Sequence, residues 1–367
     1  MAFSLEKKIL QIGKYFLHLW IILNTNRAFK RRFKEFFDIH PELRKPVEKK
    51  IEDEHIRIWK KLSKNINLDT LRLSCNLANN CDPRIVPEEV FATEIQPCLC
   101  YKQRKIEYLG SKSFYERWFP GSIFPHTFIH NIDGIFIDNN YQMISGEKTK
   151  KILNLLEFPV VVKPNLESFG GKDIFFPDNI DDLLKLIKGK KNFVIQEVIK
   201  QHQYFAKYYN NKGINSIRVN LYRSVKDNKV KFLNASLRLG RGHGLDNLTS
   251  GGLICSILDN GKLNNYAVDK HGDKYKSHPD TGIAFSDDER IPKYNEMIEL
   301  AINIGNDFYY SRLMSLDMCF DQKDQWRVIE VNLFDIAIRA AQLGGEPFFG
   351  SYTKEIVDYC SKKSITI

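Results

Sequence analysis

Long apolar runs are scarce in this sequence. The longest unbroken run near the N-terminus is Leu19–Leu23, or Tyr15–Leu23 if His18 is tolerated. A bilayer span needs about 20 apolar residues, so a transmembrane helix is excluded there. A secretory signal is not expected either, because the next segment is strongly basic and offers no small-residue cleavage site. Cysteine is sparse: seven residues, at 75, 81, 98, 100, 255, 319 and 360, an odd number without the density of a disulfide scaffold. Cys98-Leu99-Cys100 is too tight for the usual Cys-x-x-Cys zinc or redox spacing, and no histidine cluster completes a site. The expectation is reduced thiols in a cytoplasmic protein, with Cys255 and Cys319 in the core. No Gly-Lys-Ser/Thr precedes a helix and no GxGxxG occurs, which removes the P-loop and the dinucleotide fingerprint. Internal repeats and low-complexity linkers are also missing.

What is present describes a globular chain: 367 residues, 43% apolar and 27% charged, enough for two domains or one elaborate one. The net charge of +10 is placed unevenly. Residues 1–65 hold 16 Lys/Arg against 8 Asp/Glu, so the body carries only +2. A basic nucleic-acid-binding surface is therefore not expected. In residues 1–65, Leu5, Ile9, Ile12, Phe16, Leu19 and Leu23 recur at helical steps, as do Phe29, Phe33, Phe36 and Phe37 among Lys30, Arg31, Arg32 and Lys34. Two readings stand for this basic helical extension. Its stripe packs on the body, which such stripes usually do, or residues 1–60 lie on a membrane surface at the inner face of the membrane.

Four regions are expected: the extension at 1–65, a preceding subdomain at 66–158, a small subdomain at 159–200 and a large one at 201–367. The pattern predicts a helix over 145–156 capped by Ser145, strands at Val160–Lys163, Asp173–Phe176 and Phe193–Glu197, and a helix over 179–187. Beyond these come the pair Ser216–Arg223 and Lys229–Leu237, a helix at 292–308, and a last hairpin of Ser315–Phe320 with Gln325–Leu333.

That hairpin is the best chemical clue. A turn centred between Lys323 and Asp324 sets Asp317 opposite Glu330, with Asn332 on the same face. Two opposed carboxylates repel unless a cation sits between them, and an all-oxygen set suits Mg²⁺ rather than zinc. Lys163 ends an apolar strand, where an ammonium calls for an anion. Ser168, Gly170, Gly171 and Lys172 form a loop whose N–H groups suit phosphates. Arg218, Arg238 and Arg241 gather with His243 and Asn247 around strand ends, and Arg suits bidentate capture of phosphate or carboxylate.

The ordered set resembles the ATP-grasp superfamily: the strand ending Lys163-Pro164, the glycine loop, Gln196-Glu197-Val198-Ile199, Asn215-Ser216-Ile217-Arg218, then Asp317 and Glu330-Val331-Asn332. Leu237-Arg238-Leu239-Gly240, Asp246-Asn247, Gly251-Gly252, His278-Pro279-Asp280-Thr281-Gly282 and Ile291-Pro292 are similar, more narrowly, to its sugar-transfer-associated family. The similarity covers about residues 105–345. It implies an α+β ATP-grasp fold in which two α+β subdomains clamp a nucleotide, preceded here by the helical extension.

The resemblance further implies ATP and Mg²⁺, two ions, held by Asp317, Glu330 and Asn332. Lys112 and Lys163 would contact phosphates under the Ser168–Lys172 loop. Gln196, Glu197, Val198 and Ile199 would meet adenine, and Gln201 or His202 the ribose. Arg218 and Arg238 would face the transferred phosphoryl group or the acceptor carboxylate. Asn215, Arg241, His243, Asn247, Gly251 and Gly252 would stand on the substrate side. The implied activity is a carboxylate–amine ligase in surface-polysaccharide biosynthesis, joining an amino acid and a sugar through an acylphosphate. A kinase acting on a hydroxyl and a non-catalytic nucleotide-binding scaffold are the alternatives. Oligomeric state is not legible.

Overall fold

A computed structural model describes residues 2–100, 109–119, 121–166, 173–210, 213–242, 246–286, 288, 290–334 and 336–362. Ser168, Gly170, Gly171, Lys172 and His243 lie outside the described residues.

The chain opens with α1 (Ala2–Ile39), 38 residues long, which ends just before the proline at position 41. Proline removes a helical N–H donor and clashes with the preceding turn. Phe33, Phe36 and Phe37 of its second half are buried with Leu43, Leu73, Leu77, Val268 and Leu343. Helices α2 (Lys49–Trp59) and α3 (Asp69–Ala78) follow. Asn79 closes α3 in the left-handed region, φ 53°, a conformation Asn tolerates better than most residues. The reversal brings Cys81 back to Cys75, Cα–Cα 4.6 Å, and the two form a disulfide. This corrects the expectation of reduced thiols throughout: sequence spacing alone does not show a chain folding back on its own helix. Cys255 and Cys319 are buried strand residues, as expected.

Two antiparallel sheets form the body. The smaller comprises β1 (Thr127–Ile132), β2 (Ile135–Asp138), β3 (Val160–Pro164) and β4 (Phe193–Glu197) in the order β2-β1-β4-β3. Its core joins Ile129, Val160, Val162 and Ile195 to Leu153 of α4 (Gly146–Asn154) and to Leu183 and Ile187 of α5 (Ile180–Ile187). Ser145 caps α4 by accepting from Lys148 N at 3.3 Å, and Asn179 caps α5 by accepting from Asp182 N at 3.0 Å, each satisfying an orphan donor of the first turn. Strands on both sides of residue 159 share this sheet, so it takes in chain that the sequence reading puts in the preceding subdomain. The expected strand at 173–176 reduces to one bridge, Val162 to Phe175.

The larger sheet has seven strands in the order β11-β10-β5-β6-β7-β8-β9. These are β5 (Ser216–Arg223), β6 (Val230–Leu239), β7 (Leu253–Ile257), β8 (Leu263–Val268), β9 (Lys274–Tyr275), β10 (Leu313–Phe320) and β11 (Trp326–Asn332). Helix α6 (Tyr294–Asn306) buries Met297, Ala301 and Ile304 with strand residues Val219, Leu221 and Leu237 in the main core. β10 and β11 pair Asp317 with Glu330 and Ser315 with Asn332, the pairs expected, although Phe320 with Trp326 and Cys319 with Arg327 centre the turn on Lys323 rather than between Lys323 and Asp324. Beyond Asp317 the register slips: Met318 pairs with Val328, leaving Ile329 as a bulge.

Candidate functional site

Asp317 sits on β10, beside the edge strand of the large sheet, opposite Arg218 of β5 on one side and Glu330 of β11 on the other. Strand alternation puts Arg238, two strands away, on the same face. Arg218 donates through Nε and Nη2 to the two Asp317 oxygens, each at 2.8 Å, and Arg238 Nη1 lies 3.1 Å from Oδ2. Burial pushes the Asp317 carboxyl up, but the two guanidinium groups outweigh it and hold the carboxyl well below the usual range. Arg238 also approaches Asp246 Oδ1 at 3.9 Å, and Ser216 Oγ bonds Asp246 Oδ2. Burial raises the Asp246 carboxyl, with Arg238 and the Ser216 bond opposing.

Lys112 is buried, and its Nζ bonds Glu330 Oε1 and Leu166 O, the latter at 3.3 Å. Lys163, on β3, is 5% exposed and lines the same cavity as Glu330. Burial and the Lys112 charge push its ammonium down to about 7, with Glu330 pulling the other way. Among the described residues no ion pair relieves Lys163. The small sheet thus points a cation into a cavity whose opposite wall carries Asp317, Glu330, Asn332, Arg218 and Arg238, about 1020 Å³ in all.

A second cavity of about 880 Å³ adjoins it, and Glu197, Val198 and Ile199 line both. Glu197 Oε1 accepts from His126 N at 2.9 Å and from Arg327 Nη2 at 2.7 Å, and Arg327 also reaches Asp321 at 3.3 Å. Gln196 donates to Thr127 Oγ1 at 2.9 Å, while its Oε1 is buried with no partner among the described residues. His202 lines the second cavity but accepts from Tyr204 N at 3.1 Å and pairs with Asp324 at 3.1 Å. The Gln201 amide is spent on Asn215 N and Tyr209 O, both at 2.9 Å.

Of the residues expected on the substrate side, the structure brings Asn247 to the large cavity. Asn215 instead ties loops together, donating to Phe205 O and Tyr209 O at 2.8 Å. Arg241 turns to the sheet edge, donating to Tyr275 Oη at 2.9 Å and lying 3.6 Å from Asp269. Gly251 takes φ +93°, and a Cβ on Gly252 would meet Leu239 O at 2.7 Å and Asn247 O at 3.0 Å. Gly252→Ala is therefore expected to displace the 246–252 turn, costing about 1–3 kcal/mol and lowering any activity of this cavity roughly tenfold. Thermal denaturation and an ADP-release assay check both.

Some contributions escaped the sequence. The Arg327–Glu197–Asp321 network was unseen because these residues come from separate strands and a turn. Phe29, Arg32 and Phe36 of α1 line the large cavity, which helical periodicity alone cannot show. The His278–Gly282 motif was visible, and its role is to brace a loop. His278 Nε2 bonds Gly240 O at 2.8 Å, and Asp280 Oδ2 accepts from Gly242 N at 2.6 Å.

Mg²⁺ fits the donors at the site's centre. Asp317, Glu330 and Asn332 give two carboxylates and an amide oxygen around one wall, the ligand class a hard cation takes. Among the described residues no three His, Cys, Asp or Glu gather as a metal site by themselves, so the set depends on Asn332 and on oxygens of a bound molecule.

Residues 178–353 match the family model described as sugar-transfer associated ATP-grasp. No curated protein matches the chain. Among solved structures, the biotin carboxylase domain of the Hydrogenobacter thermophilus 2-oxoglutarate carboxylase, in complex with MgADP, ADP and bicarbonate, is similar at 13% identity and TM-score 0.42. That match covers 72% of this chain and 48% of that one. N5-carboxyaminoimidazole synthetase from Staphylococcus aureus, complexed with ADP, is similar at 12% identity and TM-score 0.42, covering 72% and 54%. The chain spans about half the length of these proteins.

Proposed function

On the premise that residues 178–353 belong to the sugar-transfer associated ATP-grasp family, we propose that this protein is an ATP- and Mg²⁺-dependent carboxylate–amine ligase. It forms an amide through an acylphosphate, joining an amino acid and a sugar acid or amino sugar in polysaccharide biosynthesis. The observation that carries this reading is Lys163 lining one cavity with Asp317, Glu330, Asn332, Arg218 and Arg238.

ATP is the phosphoryl donor. A carboxylate oxygen of the acceptor attacks the γ-phosphorus, the bond to the β,γ-bridging oxygen breaks, and ADP leaves. The amine then attacks the acyl carbon, phosphate departs, and the amine proton passes to solvent or phosphate. Lys163 and Lys112 neutralise the polyphosphate, and Arg218 and Arg238 meet the charge that spreads over the transferred group. Mg²⁺, held by Asp317, Glu330 and Asn332, would supply further charge neutralisation at the phosphates. The protein needs no covalent nucleophile, because its part is positioning and electrostatics.

The test is ADP release across a panel of sugar acids and amino acids, with hydroxylamine present to trap acylphosphate. Hydroxamate formed in step with ADP supports the ligase. ADP release with a phosphorylated hydroxyl and no hydroxamate identifies a kinase, and no ADP release with any pair leaves only a nucleotide-binding scaffold.

A further inference from the structure

Between Ile12 and Leu23, α1 has an outward face that no described residue covers. Ile12, Phe16, Leu19, Trp20 and Leu23 fall within about 100° of arc at 3.6 residues per turn, and Phe16 and Trp20 are 64% and 63% exposed. About 150° round the helix from the middle of this arc, His18 lies 3.5 Å from Glu94 and Phe36 is buried further along. This stripe is therefore not the part of α1 that packs. On the same arc, one to two turns on, stand exposed Arg27, Lys30 and Arg31, which pair with no carboxylate among the described residues. Residues 1–34 hold eight Lys/Arg against one Glu.

We propose that the outward face of α1 seats the protein on an anionic lipid surface, with the apolar residues between Ile12 and Leu23 in the headgroup–acyl boundary and Arg27, Lys30 and Arg31 on the phosphates. The chemistry matches at both ends. Trp20 and Tyr15 carry rings with a polar edge, the type that settles at membrane interfaces, and basic residues beside an apolar stripe add attraction to anionic lipid. No described helix is long and apolar enough to cross a membrane, so α1 lies along the surface. A second copy set parallel would put basic residues against basic residues, whereas an anionic lipid surface answers the apolar stripe and the basic residues at once. The same helix lends Phe29, Arg32 and Phe36 to the wall of the large cavity, so a bilayer under residues 12–31 lies beside that cavity.

The test is co-sedimentation of the full chain, without nucleotide, with phosphatidylcholine vesicles containing or lacking phosphatidylglycerol. Phosphatidylglycerol is expected to raise the bound fraction at least about tenfold. Phe16→Glu/Trp20→Glu and, separately, Arg27→Glu/Lys30→Glu/Arg31→Glu are each expected to lower binding to mixed vesicles about tenfold or more, at unchanged melting temperature. With Trp118→Phe in place, and Trp59 and Trp326 buried, a blue shift of tryptophan emission on adding vesicles marks the apolar contact of Trp20. The proposal is overturned by equal vesicle binding of either variant, by no binding of the wild type, or by a wild-type dimer that Phe16→Glu/Trp20→Glu converts to monomer. Because no nucleotide is present, none of these outcomes depends on the ligase chemistry.

Discussion

Glu330→Gln is expected to cut Mg²⁺-dependent turnover by a factor of about 10³ or more, with a lowered melting temperature. Glu330 is partly exposed, but among the described residues it is the ion-pair partner of buried Lys112, so the amide of Gln leaves that ammonium without its carboxylate. Asp317→Asn is expected to lose as much turnover and also to melt earlier. Asp317 is the shared acceptor of Arg218 and Arg238. Removing one partner of a buried ion pair costs about 3–5 kcal/mol, because the two guanidinium groups keep their charge and lose their carboxylate. The measurement is ADP release across a Mg²⁺ titration, beside thermal denaturation of each variant. Turnover within threefold of wild type in either one removes these residues from the metal site.

The second large effect concerns Lys163. Its ammonium is buried, and its pKa is pushed down to about 7 by burial and by Lys112. A polyphosphate beside it would raise that value again, so nucleotide binding takes up a proton. Affinity is expected to be full below pH 7 and to fall above it by up to about tenfold per pH unit, until the pKa of the complex is reached. Stability without nucleotide runs the other way. Between pH 7 and the ordinary lysine value near 10.4 the unfolded chain holds a proton that the folded chain has released, so folding is favoured as pH rises through that window. Lys163→Met should abolish both trends together: nucleotide affinity down about a hundredfold at pH 7, a flat pH profile, and a free protein at least as stable as wild type. Calorimetric titration with ADP at several pH values reads the first two, and thermal denaturation reads the third. An unchanged pH profile in the Met variant would place the titrating group elsewhere.

Much of the site was legible because it rests on strand arithmetic. The Asp317–Glu330 pair stands as expected, though the turn centres on Lys323 and the bulge at Ile329 restores the pairing; the alternation of β11 added Asn332, and β5 runs from Ser216 to Arg223 as its pattern predicts. Ser145 was visible as a cap because capping is a local event. What escaped were pairings between distant segments. β1 hydrogen-bonds to β4, more than sixty residues away, and Lys112 meets Glu330 across 218 positions. Asn215 and Arg241 have the right chemistry for a substrate, but three-dimensional neighbours claim their polar atoms first. In α1 the apolar periodicity was plain, yet nothing in the sequence separates the half that packs from the half that does not.

The unpaired Ile329 has a consequence for how the cleft is wired. In a regular strand Arg327 and Glu330, one odd and one even, would leave the backbone in opposite directions. The extra residue resets that count, so both emerge towards the same side. Arg327 can then brace Glu197 between the two cavities while Glu330 meets Lys112 and Trp326 and Val328 stay in the hydrophobic interior. Shortening the strand by this single residue would send one of the two charged groups into the core, severing the support beneath one chamber from the oxygen donors of the other.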